Sequence, residues 1–361
     1  MMRYSASFLA LCFAGVSAGV APSSAAAQQP PSDGQRSLEP QWVMPRTPDG
    51  RPDLQGNWSN ATITPRERPP GVGPVLTQDQ VAEIEGTREA YIEEFTAASD
   101  PNRQAPAVGG VATGDLRFDR ASGGTGGYNY IYIDGGDRVA IYNGELRSSL
   151  VTNPADGRIP PLTAEARQRS AERSAFNDQF GPYDHPEGRP LGERCLLWGG
   201  NSGPPMLPNY FYNNNYTIVQ TPDHVMIMSE MVHDVRIIRM GERVPLPDHI
   251  RPWMGDSWGH WEGDTLVIET TNLHRLQRFN GNPTDNLKVI ERLTRVDQST
   301  INYEFTIIDP ETYTAEWGGD VPMKALEGLI YEYACHEGNY SLAGILSGAR
   351  YQERLEAENQ R

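Results

Sequence analysis

Runs of alternating apolar and polar residues dominate the second half of this chain, and turn-forming residues bound each of them. Tyr216–Gln220, Val225–Glu230, Val235–Met240, Thr265–Thr270, Leu287–Val296 and Ile301–Ile308 carry β-branched and aromatic side chains in strand-like patterns. Pro222-Asp223, Glu262-Gly263-Asp264 and Asp297-Gln298-Ser299 separate several of these runs at hairpin length. The pattern also occurs at Tyr128–Ile133 and Arg138–Tyr142, around Asp134-Gly135-Gly136-Asp137, and again at Leu329–Ala334. Leu54–Asn60 reads as the first ordered piece. Helical spacing occurs over residues 77–97, where Thr77 and Gln80 can cap the first turn reciprocally, and over residues 163–176. Strands with short connections, not alternating with helices, predict a mainly β fold: an antiparallel meander that closes into a barrel or folds into a sandwich.

The N-terminus changes the picture by adding a compartment. Met1-Met2-Arg3, an apolar run to about Val20 and Ala25-Ala26-Ala27 have the parts of a cleavable export signal over residues 1–27, and the run is too short to span a membrane. Residues 28–52, rich in Gln, Pro, Ser and Asp, read as a flexible leader, and residues 53–361 as a single β-rich domain with helical and loop insertions. Of three cysteines, Cys12 falls in the signal, leaving Cys195 and Cys335. In an oxidising compartment, periplasmic or outside the cell, these two are expected to form a disulfide, with two buried free thiols as the alternative. A loop of about 140 residues closed in this way contributes roughly 4–5 kcal/mol in the chain-entropy description.

Composition narrows the partners. The formal net charge of −16 disfavours nucleic acid, whose phosphates need clustered Lys and Arg. The 36 Gly and 29 Pro fit many short elements joined by turns. No membrane anchor is read from the sequence, and a homodimer is left open. The glycines of residues 108–127 precede no helix start and no Lys-Ser/Thr pair, so they do not read as a phosphate cradle.

Candidate chemistry gathers in three clusters. Tyr183-Asp184-His185 stands with Arg189, Glu193 and Arg194 in the long Pro/Gly-rich segment 181–215. Asn213-Asn214-Asn215 stands near Glu230, His233, Asp234 and Arg236, and His336-Glu337 follows Cys335. The expected disulfide brings Arg194 and His336 into one neighbourhood. On an unbroken strand, Met226, Met228 and Glu230 share one face. Glu230 is then either an acid desolvated among methionines in a barrel lumen or a carboxylate paired with an arginine such as Arg236. Trp253, Trp258 and Trp261, around Asp256, form either an aromatic wall for a ligand or a core corner. Scattered histidines give no metal-binding spacing, and no Gly-x-Ser-x-Gly elbow is present.

Longer strings carry a family resemblance. Thr47-Pro48-Asp49-Gly50-Arg51-Pro52-Asp53-Leu54-Gln55-Gly56-Asn57-Trp58, Gly188-Arg189-Pro190-Leu191-Gly192-Glu193-Arg194-Cys195 and Tyr331-Glu332-Tyr333-Ala334-Cys335-His336-Glu337-Gly338-Asn339-Tyr340 resemble a widespread family of exported bacterial proteins with little assigned chemistry. Gly56-Asn57-Trp58 also resembles the start of lipocalin-type barrels, which makes a lipocalin-like barrel the expected closed form. The family resemblance implies an association with cofactor-free lyases of lignin-derived aromatic dimers, including decarboxylases that open a phenylcoumaran ring. Such a reaction needs no cofactor. Arg194 or Arg236 with Asn214 and Asn215 would seat the substrate carboxylate, and Trp253, Trp261 and Asp256 complete the binding set. His233, His336, Tyr183 or Glu230 would supply the proton. Two rival readings stand beside it: a lipocalin-type binder of aromatic ligands without turnover, and a polysaccharide hydrolase or lyase using paired carboxylates such as Glu230 and Asp256.

Overall fold

The computed structural model describes residues 42–96, 133–198, 202–209, 211–277 and 284–361. The expected signal (1–27), the leader as far as residue 41, the glycine-rich stretch 108–127 and most of the strand expected at 128–133 lie outside the described residues. Residues 42–52 belong to the folded unit that begins at Trp42. There the Thr47 amide donates to the Arg51 carbonyl (2.9 Å), and Arg46 pairs with Asp264.

The main sheet closes on itself. Its strands are β1 (Gly56–Ser59), β4 (Val151–Asn153), β5 (Asn215–Gln220), β6 (His224–Ser229), β7 (Val235–Met240), β8 (Asp256–Glu262), β9 (Thr265–Thr271), β10 (Lys288–Arg295), β11 (Thr300–Ile308) and β12 (Trp317–Ala325). A separate small hairpin holds β2 (Ile141–Tyr142) and β3 (Glu145–Leu146). The ring runs β1-β5-β6-β7-β8-β9-β10-β11-β12 and back to β1, nine strands in all, and β4 pairs with the start of β12. The fold is therefore the expected mainly β barrel. It is a mixed barrel rather than a pure antiparallel meander, because β7 and β8 run parallel, Ile238 opposite Ser257. The connection of residues 241–255 makes that crossover possible, since parallel neighbours cannot be joined by a tight hairpin.

Strand alternation builds the interior. Val225, Ile227 and Ser229 of β6, Val289 and Leu293 of β10, and Ile301, Tyr303, Phe305 and Ile307 of β11 are buried at every second position. Trp58, from the Gly-x-Trp entry, is buried in the same core and its indole N–H donates to the Leu54 carbonyl (2.9 Å). The lumen is filled by these side chains. From the rim where β6 ends, it is stoppered by residues 202–207, all buried. Ser229 Oγ donates to the Ser202 carbonyl (2.8 Å), Gln277 Nε2 to the Gly203 carbonyl (3.0 Å) and Asn60 Nδ2 to the Met206 carbonyl (3.1 Å).

One ion pair crosses this interior. Arg236 of β7 (2 % exposed) grips Glu291 of β10 (0 %) through both guanidinium nitrogens, one of them at 2.9 Å. Tyr303 Oη donates to Glu291 (2.8 Å) and accepts from the Met206 amide (2.9 Å), linking the pair to the stopper. Burial alone would depress the Arg236 pKa, but the adjacent Glu291 carboxylate holds it above its ordinary value. Burial, with Glu291 beside it, also raises the Tyr303 phenol far above its usual range.

One expected strand is absent, and elements that the pattern does not announce are present. Leu329–Ala334 is not a strand, and the strand that closes the ring is β12, upstream of it. Gly318 and Gly319 disguise β12 as a turn, yet they are what permits its close packing. A Cβ at Gly318 would lie 2.1 Å from the Phe305 carbonyl oxygen, and one at Gly319 would lie 1.9 Å from that of Leu150. Pro322 falls between the β4 and β1 contacts, where β12 lacks a second neighbour. Helices α1 (Gln78–Thr96) and α2 (Ala164–Asn177) fall where the pattern predicts them. Thr77 and Gln80 form the reciprocal cap, and Thr163 caps α2. A third helix, α3 (Tyr340–Asn359), was not expected. No helix among the described residues is long and apolar enough to cross a membrane.

The ion pair yields a test. Arg236→Met or Glu291→Leu alone strands a buried charge and should lower unfolding free energy by about 3–5 kcal/mol. The double replacement should lose clearly less than either single change. Urea unfolding followed by tryptophan fluorescence measures all three.

Candidate functional site

The rim stoppered by residues 202–207 gathers much of the candidate chemistry. β6 ends at Ser229, and Glu230 turns into helical geometry (φ −59°, ψ −54°). Val232 and His233 then adopt left-handed backbone angles, φ 62° and 45°. That conformation is costly for a β-branched residue, and such strain concentrates at functional sites. Two contacts hold the turn: the Met231 amide donates to Asn213 Oδ1 (2.9 Å), and the Ser229 amide donates to the Asp234 carbonyl (2.9 Å).

This turn overturns the lumen reading of Glu230. The inward face of β6 is Val225, Ile227 and Ser229, and the strand stops before Glu230, so the carboxyl lies at the rim. Nor is it paired with Arg236, which Glu291 occupies. Asn215 Nδ2 instead donates to both Glu230 Oε2 and Asp134 Oδ2, each at 3.0 Å. Burial raises the Glu230 pKa, the Asn215 hydrogen bond opposes that, and the Asp134 charge adds to it. Burial raises Asp134 likewise. Asp234 is pushed up to about 6 by burial, against the pull of His233, and one of its carboxylate oxygens is buried without a hydrogen-bond partner. Asp134 is the site residue the sequence concealed, because it opens a run that reads as a plain Asp-Gly-Gly-Asp turn.

The cysteines form the expected disulfide, Cys195–Cys335, with Cα atoms 5.7 Å apart. It anchors an arm that leaves β12 beside β1, where the Leu326 amide donates to the Asn57 carbonyl (2.9 Å). The arm reaches the strained turn at Tyr333, whose carbonyl oxygen lies 3.1 Å from His233 Nδ1. Asn339 Nδ2 donates to the Glu193 carbonyl (2.7 Å), closing the other side of the disulfide. Between arm and loop opens a cleft of about 280 Å3 bordered by Trp198, Tyr333, Cys335, Asn339 and Leu342. Tyr212 packs edge-on against Trp198, centroids 6.4 Å apart.

The remaining candidates separate. Arg194 and His336 flank the disulfide, one on each side. Arg194 is half-buried, its guanidinium reaches the Glu187 carbonyl (3.4 Å), and it forms no ion pair among the described residues. His336 and Tyr183 are exposed, and Arg189 stacks 4.9 Å from the Tyr183 ring. Asn214 Nδ2 is spent on the carbonyls of Asp134 and Asn209. Arg236 is locked in the core. Asp256 bonds Arg239 and accepts from the Leu246 amide (3.0 Å), so it is no partner for Glu230. Trp253 stacks on His274, centroids 3.8 Å apart, and Trp258 lies beneath Arg239. Trp261 packs against the core near the opposite rim, opposite Leu266. The three tryptophans therefore do not build one wall. No grouping of three or more potential His, Cys, Asp or Glu metal ligands occurs among the described residues.

No family model, curated protein or solved structure matches this chain.

The Asp234 carboxyl gives a signed pH effect. Its folded pKa of about 6 exceeds the ordinary 3.8, so its contribution is fully present below that value and is lost as pH rises through 6. Because the group is partly exposed, solvent screens the penalty. Asp234→Asn should raise the melting temperature by a few degrees at neutral pH and change it less near pH 4. Calorimetry across pH 4–7 reads the difference, and equal shifts throughout would assign the effect to packing.

Proposed function

We propose that this chain is a cofactor-independent carbon–carbon lyase, a carboxy-lyase acting on a small aromatic carboxylate of the lignin-derived phenylcoumaran type, in the periplasm or outside the cell. The observation that carries the reading is the strained Glu230–Asp234 turn: it gathers two carboxyls that hold protons unusually well with His233, and its His233 touches the arm that borders an aromatic cleft. The Cys195–Cys335 disulfide fits an oxidising compartment.

The roles follow from charge and proton affinity. Arg194, beside the disulfide and in no ion pair among the described residues, is the cation to seat the substrate carboxylate. Trp198 and Tyr333 offer ring surface for an aromatic substrate, and water displaced as the rings bind favours loss of carbon dioxide, because hydration stabilises the carboxylate. Breaking the bond to the carboxyl carbon releases carbon dioxide. The electron pair left behind forms an alkene and expels the aryl ether oxygen as phenoxide. Glu230 or Asp234, whose carboxyls burial makes better holders of a proton than usual, or His233, delivers the proton that phenoxide requires.

Incubation of the chain with a pool of lignin-derived dimers, without added cofactor, should convert one compound to a product lighter by 44 mass units, the mass of carbon dioxide released in the proposed chemistry. Glu230→Gln, Asp234→Asn and His233→Ala should identify the donor by a fall in kcat of about 10²–10⁴-fold in one of them. Arg194→Ala should mainly raise KM. An unchanged mass across the pool would remove the lyase reading, and stoichiometric retention of an unaltered dimer would replace it with a binding function.

A further inference from the structure

The strained turn and the loop at Asp134 meet on one buried amide. Asn215 opens β5 opposite Ser59 of β1 and is 8 % exposed. Its carbonyl accepts from the Glu230 amide (3.1 Å), so the turn is held by its backbone to the same residue. Asp134 is fixed separately: its amide donates to the Phe211 carbonyl (2.7 Å), and its own carbonyl accepts from Asn214 Nδ2. These anchors bring a carboxyl from 81 positions before Asn215 and one from 15 positions after it onto a single nitrogen. Asn215 Nδ2 has two hydrogens, and each goes to one carboxyl, Asp134 Oδ2 and Glu230 Oε2, at 3.0 Å. The two oxygens are therefore at most about 6 Å apart, close enough for the charge on one to alter the proton affinity of the other. Asn215 Oδ1 is buried without a hydrogen-bond partner, so the two carboxyls orient the amide.

Neither carboxyl forms an ion pair among the described residues, and the charge that acts on Glu230 is that of Asp134. The other titratable groups nearby supply no cation to the pair. Tyr216, the next residue of β5, is a buried phenol whose pKa burial pushes well above its usual range, and Asp234 and His233 in the turn act on each other. Two half-buried carboxylates on one neutral amide repel, so the second ionises only against the charge of the first. Aspartic acid is intrinsically the stronger acid of the two, so Asp134 takes the charge and Glu230 the proton. We infer that Asp134, Asn215 and Glu230 work as one acid pair, in which the Asp134 carboxylate acts across the Asn215 amide to keep the proton on Glu230. Asp134 is thus a positioning residue that acts through Glu230. For turnover this rests on the lyase reading: Glu230 becomes its proton donor, because Asp234 instead faces His233, whose positive form draws the proton away.

Carbon-13 NMR of the side-chain carboxyls, followed from about pH 3 to about pH 8, tests the pair without any substrate. The Glu230 signal is assigned by its loss in Glu230→Gln. In the wild-type chain it should move in two steps, the smaller reporting ionisation of Asp134. In Asp134→Asn, whose amide oxygen can still accept from Asn215, the smaller step should vanish and the Glu230 midpoint should fall by about one pH unit. A single Glu230 step in the wild-type chain overturns the pair, whether or not the variant folds. So does a midpoint that Asp134→Asn leaves in place with unchanged circular dichroism. On a substrate that is turned over, Asp134→Asn should move the alkaline fall of kcat to lower pH by the same interval and leave KM unchanged. An equal loss of kcat at every pH would reduce Asp134 to a structural role. Absence of turnover would remove the lyase reading alone, and the NMR titration would still decide the pair.

Discussion

A single buried ion pair sets the terms for the rest of this barrel. Arg236 and Glu291 stand on strands that are not neighbours in the ring, and both point into an interior otherwise filled by aliphatic and aromatic side chains. Taking either charge out of water alone would cost several kcal/mol, so each is tolerable only in the presence of the other. The requirement extends outward. Tyr303 must donate to Glu291, and the Met206 amide must reach Tyr303, so the stopper of residues 202–207 is joined to the same polar chain. A one-residue slip of β7 or β10 would turn its charge to the outer face and leave the partner stranded. The polar chain thus couples strand register to closure of the rim.

That closure leaves the candidate polar groups at the rim and the outer wall. The strained turn at Val232–His233 lies between strands β6 and β7, whose positions the core fixes. The disulfide acts at longer range. It joins the loop before the stopper to an arm that comes from the opposite end of the barrel, so that Tyr333 meets His233 and the aromatic cleft exists at all. Core and disulfide therefore divide the work: one positions the carboxyls, the other brings aromatic surface beside them.

Much of the architecture was legible because strands announce themselves by alternation. β5, β6, β7, β9, β10 and β11 follow that pattern within a residue or two, and the caps of α1 and α2 lie at Thr77 and Thr163 as their local chemistry requires. β12 was hidden because its glycines serve backbone approach to Phe305 and Leu150, contacts distant in sequence. α3 was hidden because Gly344 and Gly348 interrupt its apolar pattern with residues that read as breakers. Leu329–Ala334 has strand composition but pairs with nothing in the sheet.

For the site, the sequence by itself determined the reactive inventory: the Glu230–Asp234 string, a pair of cysteines suited to an oxidising compartment, and an arginine beside one of them. Alternation places Arg236 and Ile238 on one face of β7 and Val235 and Ile237 on the other, but only the fold turned the arginine face inward and left Val235 and Ile237 exposed. Only the tertiary structure decided who meets whom. It gave Arg236 to Glu291 rather than to a ligand, Asp256 to Arg239 rather than to Glu230, and Asp134 to the Asn215 amide that Glu230 shares. These pairings join residues from 15 to 81 positions apart. Burial, which raises the carboxyl pKa values, is a property of the surrounding fold and not of the residue, so no local pattern could carry it.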